Sequence, residues 1–261
     1  MPPVIETAGL HKSFGAVVAA ADITVSVGKR EVVGMIGANG AGKTTFINMV
    51  TGYLKPDRGR IRYMGDDITA RPPRDITRLG ISRSFQIPQL FAGLSVRDNL
   101  LVALGLAGSA RPDSWRPLKR DETVAAAARI LDRYGISAYG TQQAGLLPQG
   151  VRKLLDIAMA MIGEPNLVLL DEPTSGISVD EKFAVMDTLM AILGEQGVTV
   201  LFVEHDMEIV ERYGERVIAF YDGRVIADGP PRDVLAAADV RQYVVGSELH
   251  RQGAVSGGAG C

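Results

Sequence analysis

The sequence predicts an α/β fold: a mostly parallel sheet with flanking helices, an N-terminal antiparallel β subdomain and an inserted α-helical subdomain. Three observations predict it. Gly37-Ala38-Asn39-Gly40-Ala41-Gly42-Lys43-Thr44 reads G-x-x-x-x-G-K-[ST] between a short apolar run, 32–36, and a helical pattern, 44–50. A second apolar run, 167–170, ends in the acids Asp171 and Glu172. From about 92 to 163 the texture turns Ala- and Leu-rich with little β-branched alternation, as helices require.

Strand, glycine loop and helix together are the context of a phosphate-binding loop, so the core reads as a P-loop NTPase core. Gly37, Gly40 and Gly42 let the N–H groups around Asn39 turn inward without Cβ clashes. The helix that starts at Thr44-Thr45 adds the positive end of its dipole. Lys43 is expected to reach the β- and γ-phosphates, and the Thr44 hydroxyl to ligand magnesium. The rival reading is a helix-entry loop that tolerates glycine; the matching context and the second motif weigh against it.

The remaining elements follow in order. Residues 4–36 read as short strands: 23–27 alternates, Gly28-Lys29 turns the chain, and 31–36 resumes. Gly52 suits the stop of the first helix. Pro56-Asp57-Arg58-Gly59 signals a turn before a strand at 60–64. Helices at 94–106 and 123–134 flank a polar loop, 108–120, that holds Pro112, Pro117 and the only Trp. Parallel-strand signals return at 167–170 and 198–203 around a helix at 179–193. Its stripe of Phe183, Met186, Leu189, Met190 and Leu193 is expected to pack in the core. Asp222-Gly223, a type I′ pair, should turn a hairpin of 217–220 with 225–227. One domain is expected over 4–246, with its helical subdomain at about 92–163. The Gly/Ser/Ala-rich tail, 247–261, should be disordered.

Composition narrows the function. A chain of 261 residues supports one or two domains with ample core. Its net charge of −2 argues against nucleic acid as the main partner, because that binding needs a basic surface. The lone Cys261 is terminal, so no internal disulfide can form and a reducing, cytosolic setting is expected. Residues 1–14 carry Glu6, His11 and Lys12 and lack the apolar core of a signal peptide. No apolar run approaches the ~18 residues that cross a bilayer.

From Ile5 to about Gly246 the order of features resembles the ATP-binding-cassette (ABC) ATPases. In Asp171-Glu172-Pro173-Thr174-Ser175 the resemblance implies that Asp171 holds magnesium through water and Glu172 polarises the attacking water. A carboxylate at a strand's C-terminal end suits this, since such folds bind ligands there. The alternative is a solvated turn of two acids. His205, in Val203-Glu204-His205-Asp206-Met207, resembles the switch histidine that contacts the γ-phosphate and Glu172. A neutral imidazole can donate one hydrogen bond and accept another. Gln86, in Ser84-Phe85-Gln86-Ile87-Pro88, resembles the glutamine that links magnesium and water to the membrane partner, where the core hands over to the helical insertion. Phe14 resembles the aromatic that stacks on adenine, although one Phe near a strand end is commonly core.

The signature that completes a partner's site usually reads Leu-Ser-Gly-Gly-Gln. Here the stretch is Leu147-Pro148-Gln149-Gly150-Val151, before a helix at 152–162. Leu147 and Gly150 match, and a helix start still offers N–H groups to phosphate. The hydroxyl donor is missing, and Pro148 has no N–H. The family's Asp after Ser-Gly/Ala-Leu is Ser178 here. These departures imply a complete phosphate loop and a weakened signature lent to the partner.

Further details resemble the cytoplasmic ATPases of branched-chain amino acid uptake: Phe85-Gln86, Leu90-Phe91, Leu94-Ser95-Val96-Arg97-Asp98-Asn99, Glu204-His205-Asp206-Met207 and Ala227-Asp228-Gly229-Pro230. The resemblance implies ATP and Mg2+ as ligands. It also implies a second ABC ATPase as homo- or heterodimer partner, two transmembrane permeases, and an external solute-binding protein acting indirectly. The chain is then peripheral on the inner face of the plasma membrane. Hydrophobic amino acids lead as cargo, with urea or short amides behind. A soluble cassette ATPase acting on DNA or ribosomes would show two cassettes, sustained heptads or basic blocks, none of which is visible. A GTPase lacks its Asn-Lys-x-Asp motif. A nucleotide-gated regulator without turnover is disfavoured by Glu172 and His205 and kept open by Pro148 and Ser178.

Overall fold

The computed structural model describes residues 2–107 and 120–245. Most of the expected polar loop at 108–120 and the tail at 247–261 lie outside the described residues. The strands are β1 (Ile5–Phe14), β2 (Val17–Val27), β3 (Val32–Gly37), β4 (Arg58–Tyr63), β5 (Asp66–Asp67), β6 (Ile81–Ser84), β7 (Leu167–Asp171), β8 (Thr199–Val203), β9 (Arg216–Tyr221) and β10 (Arg224–Gly229). The helices that matter below are α1 (Lys43–Val50), α2 (Pro73–Arg78), α3 (Val96–Ala107), α4 (Asp121–Arg133), α5 (Gln149–Met161), α6 (Val179–Gln196) and α7 (Met207–Tyr213). The chain divides into two compact units, one of residues 78–198 and one of the segments before and after it.

In the unit formed by the two ends of the chain, β2, β1, β4 and β5 make an antiparallel sheet in that order. β2 buries alternate residues from Ile23 to Val27, which is the period-2 signal of its sequence. Asp57 ties the turn before β4 to β1, accepting from Lys12 Nζ at 2.7 Å and Ser13 N–H at 2.8 Å. Those two bonds hold its carboxyl below the usual range.

The other strands of this unit run β10-β9-β3-β8, with β3 parallel to both β8 and β9. β3 is buried from Val33 to Gly37 and β8 throughout, so both read as continuous apolar runs rather than alternations. A Cβ on Gly34 would stand 3.2 Å from the Phe202 ring and 3.3 Å from Val210, which shows how closely α7 and β8 pack there. β9 and β10 form the expected hairpin, with Asp222 at φ 47° and Gly223 at φ 71°, both left-handed as a type I′ turn demands. Arg216 grips Asp228 through Nε at 2.5 Å and Nη2 at 2.7 Å, and Glu31 at 3.1 Å, so the edge is stapled by charge.

In the unit of residues 78–198, β6 runs parallel to β7. α3 is capped by Ser95, whose hydroxyl accepts from Asp98 N–H at 3.0 Å. Buried Asn99 holds the preceding loop, accepting from Phe91 N–H at 2.9 Å and donating to Ser95 O at 2.9 Å. α5 starts at Gln149, three residues earlier than the sequence suggests, because Pro148 takes an extended backbone and its carbonyl accepts from Arg152 N–H at 3.0 Å. α6 runs on to Gln196 and stops where Gly197 turns left-handed at φ 63°. Its buried stripe is Val185, Met186, Leu189, Ile192 and Leu193, while Phe183 and Met190 are half-buried. A Cβ on Gly150 would meet Val185 Cγ2 at 3.2 Å, so glycine there lets α5 approach α6. Among the described residues no helix is long and apolar enough to cross a membrane.

Candidate functional site

The glycine loop bridges β3 and α1, and its shape follows from close approaches rather than from flexibility. Gly42 is the N-cap of α1 at φ 104°. A Cβ there would lie 2.6 Å from Ala19 O and 3.2 Å from Gly223 Cα. At Gly37 a Cβ would lie 2.5 Å from Phe220 O. Hydrogen bonds brace the loop from outside: Gly223 N–H donates to Ala41 O at 3.1 Å and Ala21 N–H to Gly223 O at 2.8 Å. Phe46 on α1 packs against Phe220 with ring centroids 5.7 Å apart, anchoring the helix to the strands below. Gly42→Ala is therefore expected to cost about 1–3 kcal/mol of stability and to weaken nucleotide binding. Urea unfolding and a nucleotide titration check the two effects.

Asn39, Gly40 and Thr44 are exposed, and Thr45 is half-buried. Lys43 is buried and folds back along the loop, donating to the carbonyls of Gly37 and Ala38, the latter at 3.2 Å. A buried cation beside a glycine loop at a helix start is an arrangement suited to holding an anion. Phe14, at the end of β1, is 53% exposed, and Lys12 Nζ stands over its ring 5.7 Å from the centroid. His205 lies two residues beyond β8, its N–H donating to the Glu204 carboxylate at 3.3 Å. Asp206 caps α7 by accepting from Glu208 N–H at 3.0 Å, which fixes the backbone that carries His205.

In the unit of residues 78–198 the structure brings two predicted residues together. Gln86 Nε2 donates to the Glu172 carboxylate at 2.7 Å. Glu172 sits at φ 49°, a left-handed conformation uncommon for a side chain with a Cβ. Asp171, at the C-terminal end of β7, is buried and pairs with Arg83 at 2.7 Å. Leu147 is buried just before α5, and Gly150 lies within its first turn. Ser178 is the N-cap of α6, with its hydroxyl donating to Glu181 at 2.9 Å.

Three residues of this unit escape sequence reasoning: Arg83, Lys153 and Asp156. Lys153 and Asp156 interrupt the apolar face of α5, and two charges at that spacing on a buried face are the one signal that could have found them.

Comparison with known proteins agrees with the geometry. Residues 20–175 match the family model described as ABC transporter. The chain is 34% identical over 251 residues to the high-affinity branched-chain amino acid transport ATP-binding protein BraF of Pseudomonas aeruginosa, covering 94% of this chain and 98% of that protein. It is 35% identical over 248 residues to the probable branched-chain amino acid transport ATP-binding protein LivG of Archaeoglobus fulgidus, covering 94% and 96%. Among solved structures, a nucleotide-free ATP-binding cassette from an ABC transporter superposes with a TM-score of 0.82 at 31% identity, covering 91% of this chain and 97% of that one. The ADP conformation of MJ1267, an ATP-binding cassette of an ABC transporter, gives 0.81 at 31%, covering 93% and 98%. With its glycine cradle, its paired acids after a buried strand and this likeness over nearly its whole length, the chain belongs to the ATP-binding-cassette ATPases of ABC transporters.

Proposed function

We propose that this chain is the ATP-hydrolysing subunit of an importer for branched-chain or similar hydrophobic amino acids. The observation that carries the reading is its co-linearity, over 94% of its length, with ATP-binding proteins of branched-chain amino acid transport. Each site residue then has one task. The loop N–H groups from Gly37 to Thr45 bind the phosphates, Lys43 neutralises the β- and γ-phosphoryl oxygens, and Phe14 stacks on the adenine. Glu172 orients and polarises the attacking water, Gln86 holds the Glu172 carboxylate, and His205 reads the γ-phosphate. No covalent intermediate is required, because positioning and charge neutralisation carry phosphoryl transfer.

Thr44, Asp171 and Gln86 supply a hydroxyl, a carboxylate and an amide oxygen, the hard donors that suit Mg2+. When bound, Mg2+ would neutralise phosphate charge. Asp171, which pairs with Arg83 at 2.7 Å, would be the carboxylate among the residues that hold the cation.

The chain would act as half of an ATPase dimer on two permeases at the inner face of the plasma membrane, fed indirectly by an external binding protein. Pro148 and Val151 leave the signature without its hydroxyl and glutamine donors, so two unequal ATP sites follow in a heterodimer. Pro148→Ser with Val151→Gln should then raise ATP turnover by the assembled complex severalfold, and unchanged turnover would count against the asymmetry. Phe14→Ala should weaken ATP binding by about 1 kcal/mol, roughly fivefold, in a fluorescent-nucleotide titration. The reading itself is tested by uptake of labelled leucine into proteoliposomes that hold the complete complex. Uptake that requires internal ATP supports it, and ATP-independent or absent uptake of every hydrophobic amino acid overturns the cargo.

A further inference from the structure

Lys153 is 1% exposed and Asp156 7%, yet both sit on the apolar face of α5 beside Leu154, Leu155 and Ile157. Burying a cation costs free energy unless hydrogen bonds replace its water. Lys153 Nζ finds three carbonyl oxygens: Gln86 at 2.7 Å, Glu172 at 3.0 Å and Phe85 at 3.3 Å. An ammonium has three protons to donate, so the site matches it donor for acceptor. Asp156, three residues on, accepts from the Ser84 hydroxyl at 2.8 Å and Gln89 N–H at 3.0 Å. Burial pushes its carboxyl up, and the Ser84 hydroxyl, Gln89 N–H and the Lys153 charge oppose that push.

Together the two side chains grip residues 84–89 along their length, and Lys153 alone also reaches the end of β7. Nothing in nucleotide binding calls for a charged pair in this place. What the pair touches is the backbone of the two residues whose side chains meet, Gln86 and Glu172. Glu172 needs such a hold, because a left-handed backbone at a residue with a Cβ persists only when its surroundings over-determine it.

We infer that Lys153 is a positioning residue for hydrolysis: its grip on the carbonyls of Gln86 and Glu172 fixes the Gln86–Glu172 hydrogen bond and ties that bond to α5, whose first turn holds Gly150. The inference rests on the ATPase reading above. It makes the first turn of α5 and the hydrolytic pair one mechanical piece. A partner's nucleotide that pulls on that turn therefore acts on the geometry around Glu172.

The test is steady-state ATP hydrolysis by the chain purified with its partner subunits. Lys153→Met should lower kcat about tenfold or more and leave the KM for ATP within about twofold, because the glycine cradle is untouched. Lys153→Gln, which keeps two donors, should recover part of kcat. In the Gln86→Ala background, Lys153→Met should add less than about threefold, since the pair it positions is already broken. If Lys153→Met does not fold, Lys153→Gln takes its place: a lowered kcat at native KM, not compounded by Gln86→Ala, supports the inference. Native kcat in the substituted complex, or losses that multiply in the double variant, overturn it. A native complex with no ATP turnover at all would instead overturn the ATPase reading on which it stands.

Discussion

Lys43→Ala is expected to abolish nucleotide binding and transport together. In the proposed role the Lys43 ammonium would supply charge-assisted hydrogen bonds to phosphate, each stabilising by about 1.5–3 kcal/mol, so losing two of them amounts to a loss on the order of a hundredfold or more. Calorimetric ATP titration of the purified chain reads that loss directly. The same substitution removes the bonds from Lys43 to the carbonyls of Gly37 and Ala38, so a thermal melt of the variant separates lost affinity from a collapsed loop. Normal transport in this variant would contradict the whole assignment.

Glu172→Gln should keep ATP bound and stop its hydrolysis, trapping a closed dimer. An amide matches the carboxylate in shape and its oxygen still accepts from Gln86, so the local geometry survives. What disappears is the negative charge proposed to polarise water, and a positioned base contributes about 10²–10⁴-fold. The expected result is turnover reduced by that order, with nucleotide retained through size-exclusion chromatography at the dimer's volume. Turnover at the native rate would place the base elsewhere.

The glycine loop between β3 and α1 is legible in the sequence because its glycines are local necessities. Gly42 is left-handed at φ 104°, and a Cβ there would lie 2.6 Å from Ala19 O, so a motif of fixed spacing records both demands. The buried strands β3, β7 and β8 were equally plain as apolar runs, and Asp222-Gly223 announced its turn. Boundaries were harder. Gln149-Gly150-Val151 reads as loop because glycine is a poor helix former, yet it opens α5, with Pro148 as N-cap and its carbonyl accepting from Arg152 N–H. Met190 fits a helical stripe on paper, whereas Val185 and Ile192 take the buried positions in α6. Least legible were the pairings across the sequence. Arg83 meets Asp171 across 88 residues, and Lys153 meets Gln86 across 67. No local pattern encodes such a partner, since only the fold brings the two together.

The most direct measurement of the central claim is affinity purification of the tagged chain in mild detergent, with every co-purifying protein identified. The account predicts two hydrophobic permeases and a second ATPase subunit, in amounts comparable to the tagged chain. Recovery of the chain alone, or with DNA or ribosomes, would leave the phosphate cradle standing and contradict the role in transport.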